Sequence, residues 1–237
     1  MYTRVEVFFL SFIAGKNKKI TELHYNAVNL FLYRQFEDVI KTCRVGLYLS
    51  PLNLDFKTLL AYSYLRLGDF ETSLEILAEL IKKKPGNTEL QVLLPYVHDA
   101  IGNYQEAADM LDSLLLLRPD DDVFLNNRGF NLFRQERYFE SVPYFEKAIQ
   151  KNPEFAYPWN NLGFAKYKLG ETEQAMSLID KSLELDKGNS FAYKHKGIIF
   201  MEQGNKAGAF KNFNLAIKFG YTEEHGDEVI KLLEKLD

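Results

Sequence analysis

Residues 122–155 read DVFLNNRGFNLFRQERYFESVPYFEKAIQKNPEF and residues 156–189 read AYPWNNLGFAKYKLGETEQAMSLIDKSLELDKGN. Written one beneath the other, they place Asn126 over Asn160, Asn127 over Asn161, Gly129 over Gly163 and Phe130 over Phe164. The same step of 34 residues separates Pro51, Pro85, Pro119 and Pro153. A helix-turn-helix unit of this length has an apolar face that it cannot bury alone, so copies must stack and cover one another. The expected fold is therefore all-α, a solenoid of antiparallel helix pairs whose curved inner wall offers a long surface for recognition.

Counting outward from the prolines gives units at 20–53, 54–87, 88–121, 122–155, 156–189 and 190–223, which together cover 204 of 237 residues. In the fifth unit Trp159, Leu162, Gly163, Gly170, Ala175 and Leu185 fall at the offsets of the W-x2-L-G signature and later small residue of tetratricopeptide repeats. The fourth unit matches with Leu125, Gly129, Phe145, Ala148 and Pro153, and the sixth with Tyr193, Gly197, Gly204, Ala209, Phe213 and Ala216. The chain thus resembles the tetratricopeptide repeat family, and the resemblance implies a right-handed superhelix built for binding other proteins.

Each recurring residue has a physical cause. Gly129, Gly163 and Gly197, with Ala27 and Ala61, stand where a first helix crosses its partner, and a small side chain lets the backbones approach. Gly68, Gly102, Gly170 and Gly204 are expected to end first helices in the left-handed conformation. Two prolines break the pattern. Pro95 falls inside a first helix, where it collides with the carbonyl of Gln91 and is expected to kink the helix unless that helix starts late, and Pro143 raises the same question in a second helix. Pro158 lies near a helix start, where its missing N–H costs nothing.

Composition narrows the partners. With 29 Lys and Arg against 33 Asp and Glu, net charge −4, there is no basic field to release counterions from nucleic acid. The lone Cys43 forms no internal disulfide and gives no cysteine pair for zinc, which suits a reducing compartment and a cytoplasmic location. No apolar run reaches the roughly 18 residues of a membrane span. Arg4 followed by the run 5–14 has the length of a short signal peptide, with export the alternative if residues 1–15 act so, but Glu6 interrupts it and the cleavage pattern is poor.

Solenoid ends need caps. Residues 224–237, with Val229, Ile230, Leu232, Leu233 and Leu236 among charges, read as a capping helix. Residues 1–19 read as an N-terminal helix, the second half of a repeat, because Val5, Phe9 and Phe12 share the register of Ala209, Phe213 and Ala216. Phe8, Phe9 and Phe12 serve either as capping core or as a surface for self-association.

The resemblance assigns the inner wall to the second, fifth, sixth, ninth, twelfth and thirteenth places of each unit. The ninth place carries Val28, Tyr62, Tyr96, Phe130, Phe164 and Ile198, so four aromatics follow one another. They either present contact area to a peptide or pack between neighbouring first helices. Asn126 and Asn160 at the fifth place, and Asn127 and Asn161 at the sixth, are similar to the asparagine ladder of the O-linked N-acetylglucosamine transferase, because carboxamides pair with the amides of an extended chain. The ladder stops where Tyr25, Leu59, Leu93 and His195 hold the sixth place. Lys194, Arg134, Lys168 and Arg66 add positive charge, although the ninth-place asparagine of the co-chaperone carboxylate clamp is missing.

Chemistry by this chain is not expected, and neither is a cofactor. His24, His98, His195 and His225 fall in different units, and His98 and Asp99 point about 100° apart on a helix. No metal pair, phosphate loop or serine elbow occurs. The run Asp120, Asp121 and Asp122 follows Pro119 at a unit boundary and reads as a helix cap. The expected role is an adaptor holding a partner polypeptide segment in its groove. The alternatives are a structural subunit docking by its ends or outer face, and an inhibitor or immunity-type binder of one enzyme.

Overall fold

The computed structural model describes residues 18–221 and 227–236, and every element among them is a helix. The expected N-terminal half repeat, with Val5, Phe8, Phe9 and Phe12, lies outside the described residues, as does His225. The helices fall into two compact units that divide between Asn103 and Tyr104. The first unit holds α1 (Lys18–Leu32), α2 (Phe36–Leu49), α3 (Leu54–Arg66), α4 (Phe70–Lys83) and α5 (Thr88–Ala100). The second holds α6 (Tyr104–Leu117), α7 (Asp122–Arg134), α8 (Tyr138–Lys151), α9 (Ala156–Lys168), α10 (Thr172–Leu185), α11 (Ser190–Glu202), α12 (Lys206–Lys218) and α13 (Glu228–Glu234).

Several helix starts are set by side chains that take up the free N–H groups of a first turn. Asn53 accepts from Asp55 and Phe56, Asp121 from Phe124, Asn189 from Ala192 and Asn205 from Gly208. The acidic run divides its work. Asp121 caps α7, Asp122 sits in its first turn, and Asp120 pairs with Lys147 and Lys151 of α8. Pro158 is the third residue of α9, where no intrahelical bond is lost. Pro95 and Pro143 lie inside α5 and α8, which both run on past them, and α5 begins at Thr88 without delay.

Where first and second helices cross, a Cβ built on Gly163 meets the backbone oxygen of Ala175 at 2.9 Å, and one on Gly197 meets the Phe213 ring at 2.5 Å. Phe145 is fully buried against Gly129, and Phe213 against Gly197. Gly46 of α2 plays the same part against Phe56, a contact between successive pairs. At the far end Val229 and Leu236 close over Ala209, Phe213, Ala216 and Tyr221.

The turn that follows each of α1, α3, α5, α7, α9 and α11 has one residue with positive φ, at positions 34, 68, 102, 136, 170 and 204. Four are glycine, but Arg34 and Glu136 hold φ of 60° and 59°, a conformation that strains a side chain by about 1–2 kcal/mol. Glu136→Gly is expected to stabilise the second unit by about 1 kcal/mol, since the relief exceeds the added chain entropy of glycine. An unchanged urea midpoint would contradict it.

Candidate functional site

The second unit carries nine of the eleven candidate residues, all on α7, α9 and α11. These three first helices lie side by side with α9 in the middle. The asparagines on them are joined to one another. Asn161 Nδ2 donates to Asn126 Oδ1 at 3.0 Å, linking α9 to α7. Asn126 Nδ2 donates to Asn127 Oδ1, and Asn160 Nδ2 to Asn161 Oδ1, both at 3.4 Å. His195 Nδ1 stands 3.0 Å from Asn160 Oδ1 and, facing an acceptor, is the donor of that bond.

The result is a five-residue hydrogen-bonded relay across three helices. Its members differ in exposure: Asn160 is fully buried and Asn126 nearly so, while Asn127 and Asn161 are half-buried. The fifth-place asparagines therefore hold the helices in register, and the sixth-place pair keeps an N–H and an oxygen lone pair for a partner. His195 extends the row that its residue type had seemed to end.

The aromatics also divide. Phe164 is 7% exposed, with the His195 ring stacked on it at a centroid distance of 3.8 Å and an interplanar angle of 4°. Phe133 and Tyr167 flank it at 5.8 and 5.9 Å, and Phe133 stacks in turn on half-buried Phe130. Phe133 and Tyr167 both stand at the twelfth place, so the repeat register alone was enough to find them. In the first unit Tyr62 is buried, edge-on to Phe31, whereas Tyr96 is 43% exposed.

Positive charge gathers at the same surface. Lys168 Nζ lies 5.3 Å from the Phe164 ring centre, a cation–π contact, and the charges of Lys168 and Lys194 reach His195. Burial first, and those two cations second, hold the imidazole well below its usual pKa, so it is neutral. Lys194 is itself lowered, by burial first and by Arg134 on the other side, against the opposing pull of Glu228. That pull is direct. Lys194 Nζ donates to the Tyr221 hydroxyl at 2.9 Å and to Glu228 Oε2 of α13 at 3.0 Å. Tyr167 donates to Glu202 at 2.5 Å, and burial together with that carboxylate pushes its phenol up to about 12.

Cys43 is buried and its thiol is pushed up to about 12 by burial, which leaves no thiolate for nucleophilic work. His24 packs edge-on to Phe56 with its Nε2 buried and unpartnered. Among the described residues there is no cluster of three or more metal-ligating side chains, and no helix is long and apolar enough to cross a membrane.

Comparison with known proteins agrees with this architecture. Family models described as tetratricopeptide repeat match residues 64–125, 123–155 and 144–176. A tetratricopeptide repeat protein from Parabacteroides merdae superposes with a TM-score of 0.80 at 18% identity, over 94% of this chain and 86% of that one. The APC/C hetero-tetramer Cut9-Hcn1 superposes at 0.69 and 16% identity, over 92% of this chain and 42% of that one. In sequence, the Hsp70-Hsp90 organizing protein of Triticum aestivum is 31% identical over 82 residues, which is 34% of this chain. The chain spans only 14% of that relative's length. The chain carries tetratricopeptide repeats over residues 64–176.

Proposed function

We propose that the chain is a non-enzymatic adaptor that holds a segment of a partner polypeptide against α7, α9 and α11. The observation that carries this reading is the relay, which fixes Asn127 and Asn161 with spare donor and acceptor capacity at one surface. Half-buried Phe130 and exposed Lys168 lie on the same helices and add apolar area and charge. A carboxamide fixed in place loses less entropy on binding than a free one, so the relay raises affinity for main-chain amides without demanding a particular side chain. The wheat relative is by name an organizer of two other proteins, Hsp70 and Hsp90, in keeping with a role in holding polypeptides.

Replacing Asn127 and Asn161 together with alanine is expected to weaken partner capture by about 1–3 kcal/mol, roughly 5- to 150-fold, and to lower urea stability by about 1 kcal/mol because the bond from Asn161 to buried Asn126 is lost with it. Copurification of the tagged chain followed by titration of the recovered partner measures it, and equal affinity would remove the wall from the site. A second reading, docking through the outer face, rests on Phe139, which is 80% exposed beside a groove of about 570 Å³ lined by Arg128, Arg137 and Tyr144. Capture that survives the asparagine pair but disappears on Phe139→Asp would favour that face instead.

A further inference from the structure

The fifth places of successive first helices carry Asn126, Asn160 and Lys194, and one further step of 34 residues reaches Glu228. α13 therefore sits in the register of another first helix, and it returns a carboxylate onto the wall. Lys194 has a side chain only 12% exposed, and its Nζ lies 3.3 and 3.0 Å from the two carboxylate oxygens of Glu228. Tyr221 bridges the pair, accepting from Lys194 and donating to Glu228 Oε2 at 2.6 Å. The Glu228 side chain is half-exposed, so the acid end of the bridge faces water while the base end is enclosed.

An ammonium so enclosed is costly to leave without a counter-charge. Lys168 Nζ lies 5.3 Å from the centre of the Phe164 ring, on which His195 stacks, and Lys194 precedes His195 in α11, so cations of α9 and α11 stand where the relay ends. The carboxylate in hydrogen-bonding contact with Lys194 comes from α13, a helix of seven residues in which Val229 alone is fully buried, with Leu232 and Leu233 packed partly buried beside it. A ligand carboxylate arriving at Lys194 must displace Glu228, and a short helix yields more readily than the packed pairs beneath it.

We propose that this end of the wall takes an acidic side chain of the partner polypeptide, and that Glu228 of α13 occupies that position intramolecularly until the partner displaces it. The inference rests on the wall being the binding surface. The partner's affinity is reduced by the fraction of molecules in which Glu228 is seated, so unseating Glu228 raises it.

The test uses the full chain and a fluorescein-labelled hexaglutamate peptide, with hexaglutamine as the neutral control. Glu228→Gln is expected to bind hexaglutamate about fivefold more tightly or better, and Lys194→Gln in that background to remove the gain. Hexaglutamine is expected to be indifferent to both changes. Equal or weaker hexaglutamate binding by Glu228→Gln would overturn the proposal, as would a gain that survives Lys194→Gln or no hexaglutamate binding by any form. Those failures stay separate from failure of the adaptor reading, which is judged by partner capture on replacing Asn127 and Asn161.

Discussion

Phe213→Ala is expected to cost about 3–5 kcal/mol of stability. Phe213 is fully buried, and its ring fills the space above Gly197 while also meeting the cluster of Ala209, Ala216, Tyr221 and Val229. Removing it opens a cavity between α11, α12 and α13 that the stacked helices close only in part. Gly197→Ala attacks the same contact from the other side. The added Cβ stands 2.5 Å from two ring carbons, so the ring or the helix must shift, at a cost of about 1–3 kcal/mol that outweighs the better helix propensity of alanine. Because the two changes share one contact, they do not add: Gly197→Ala in the Phe213→Leu background should be milder than in the wild-type chain. Urea unfolding followed by Trp159, the only tryptophan and a residue of α9, reads the second unit directly. Additive losses would show that Gly197 and Phe213 do not form the pair described.

The crossings were legible in the sequence because sterics act locally. A glycine at a fixed distance from an aromatic, as in Gly129 with Phe145 and again in Gly197 with Phe213, marks a place where one helix must come close enough for a ring to rest on bare backbone. The glycine turns were legible for the same reason, yet Arg34 and Glu136 adopt the same positive φ without announcing it. A side chain tolerates that strain when packing on both sides fixes the turn, and packing is not written in any single residue.

The wall was legible as a register and much less so as chemistry. Tyr62, Tyr96 and Phe164 share one repeat position, yet Tyr62 and Phe164 are buried and Tyr96 is exposed, because what covers a ring comes from its neighbours, Phe31 for Tyr62 and His195 for Phe164. His195 looked like the end of the asparagine row, but an imidazole N–H donates to a carboxamide oxygen as another amide would, and only the 3.0 Å contact reveals it. Lys194 showed a cation and nothing of its partner, since Glu228 reaches it from an element that the 34-residue count had assigned to a cap. The row's simple spacing thus identifies the helices that the relay joins, while its hydrogen bonds decide which side chains keep free donors and acceptors.

Stability is expected to fall as pH drops below about 6.5, and His195→Asn is expected to remove a large part of that fall. The folded chain holds His195 well below its ordinary 6.5, through burial and the charges of Lys194 and Lys168. His24 is lowered too, by burial, with Asp55 pulling the other way. Above pH 6.5 both rings are neutral folded and unfolded, so neither contributes a slope. Below it the unfolded chain takes up protons that the folded chain refuses, and unfolding becomes easier by about 1.4 kcal/mol per pH unit for each ring, until the folded value is reached. Glu79, held near 2 by Lys57 and Lys83, begins to matter only below its ordinary 4.5, so the interval from 6.5 to 4.5 isolates the histidines from that carboxylate. Asparagine suits position 195 because Asn127 and Asn161 occupy the same place in the two preceding units, and its carboxamide donates to Asn160 without titrating. The exchange gives up the ring stack on Phe164, about 1 kcal/mol at pH 8. It should then recover more than that by pH 4.5, so the two stability curves cross within the interval. Parallel curves in urea titrations from pH 8 to 4.5 would show that His195 is not the buried neutral end of the relay.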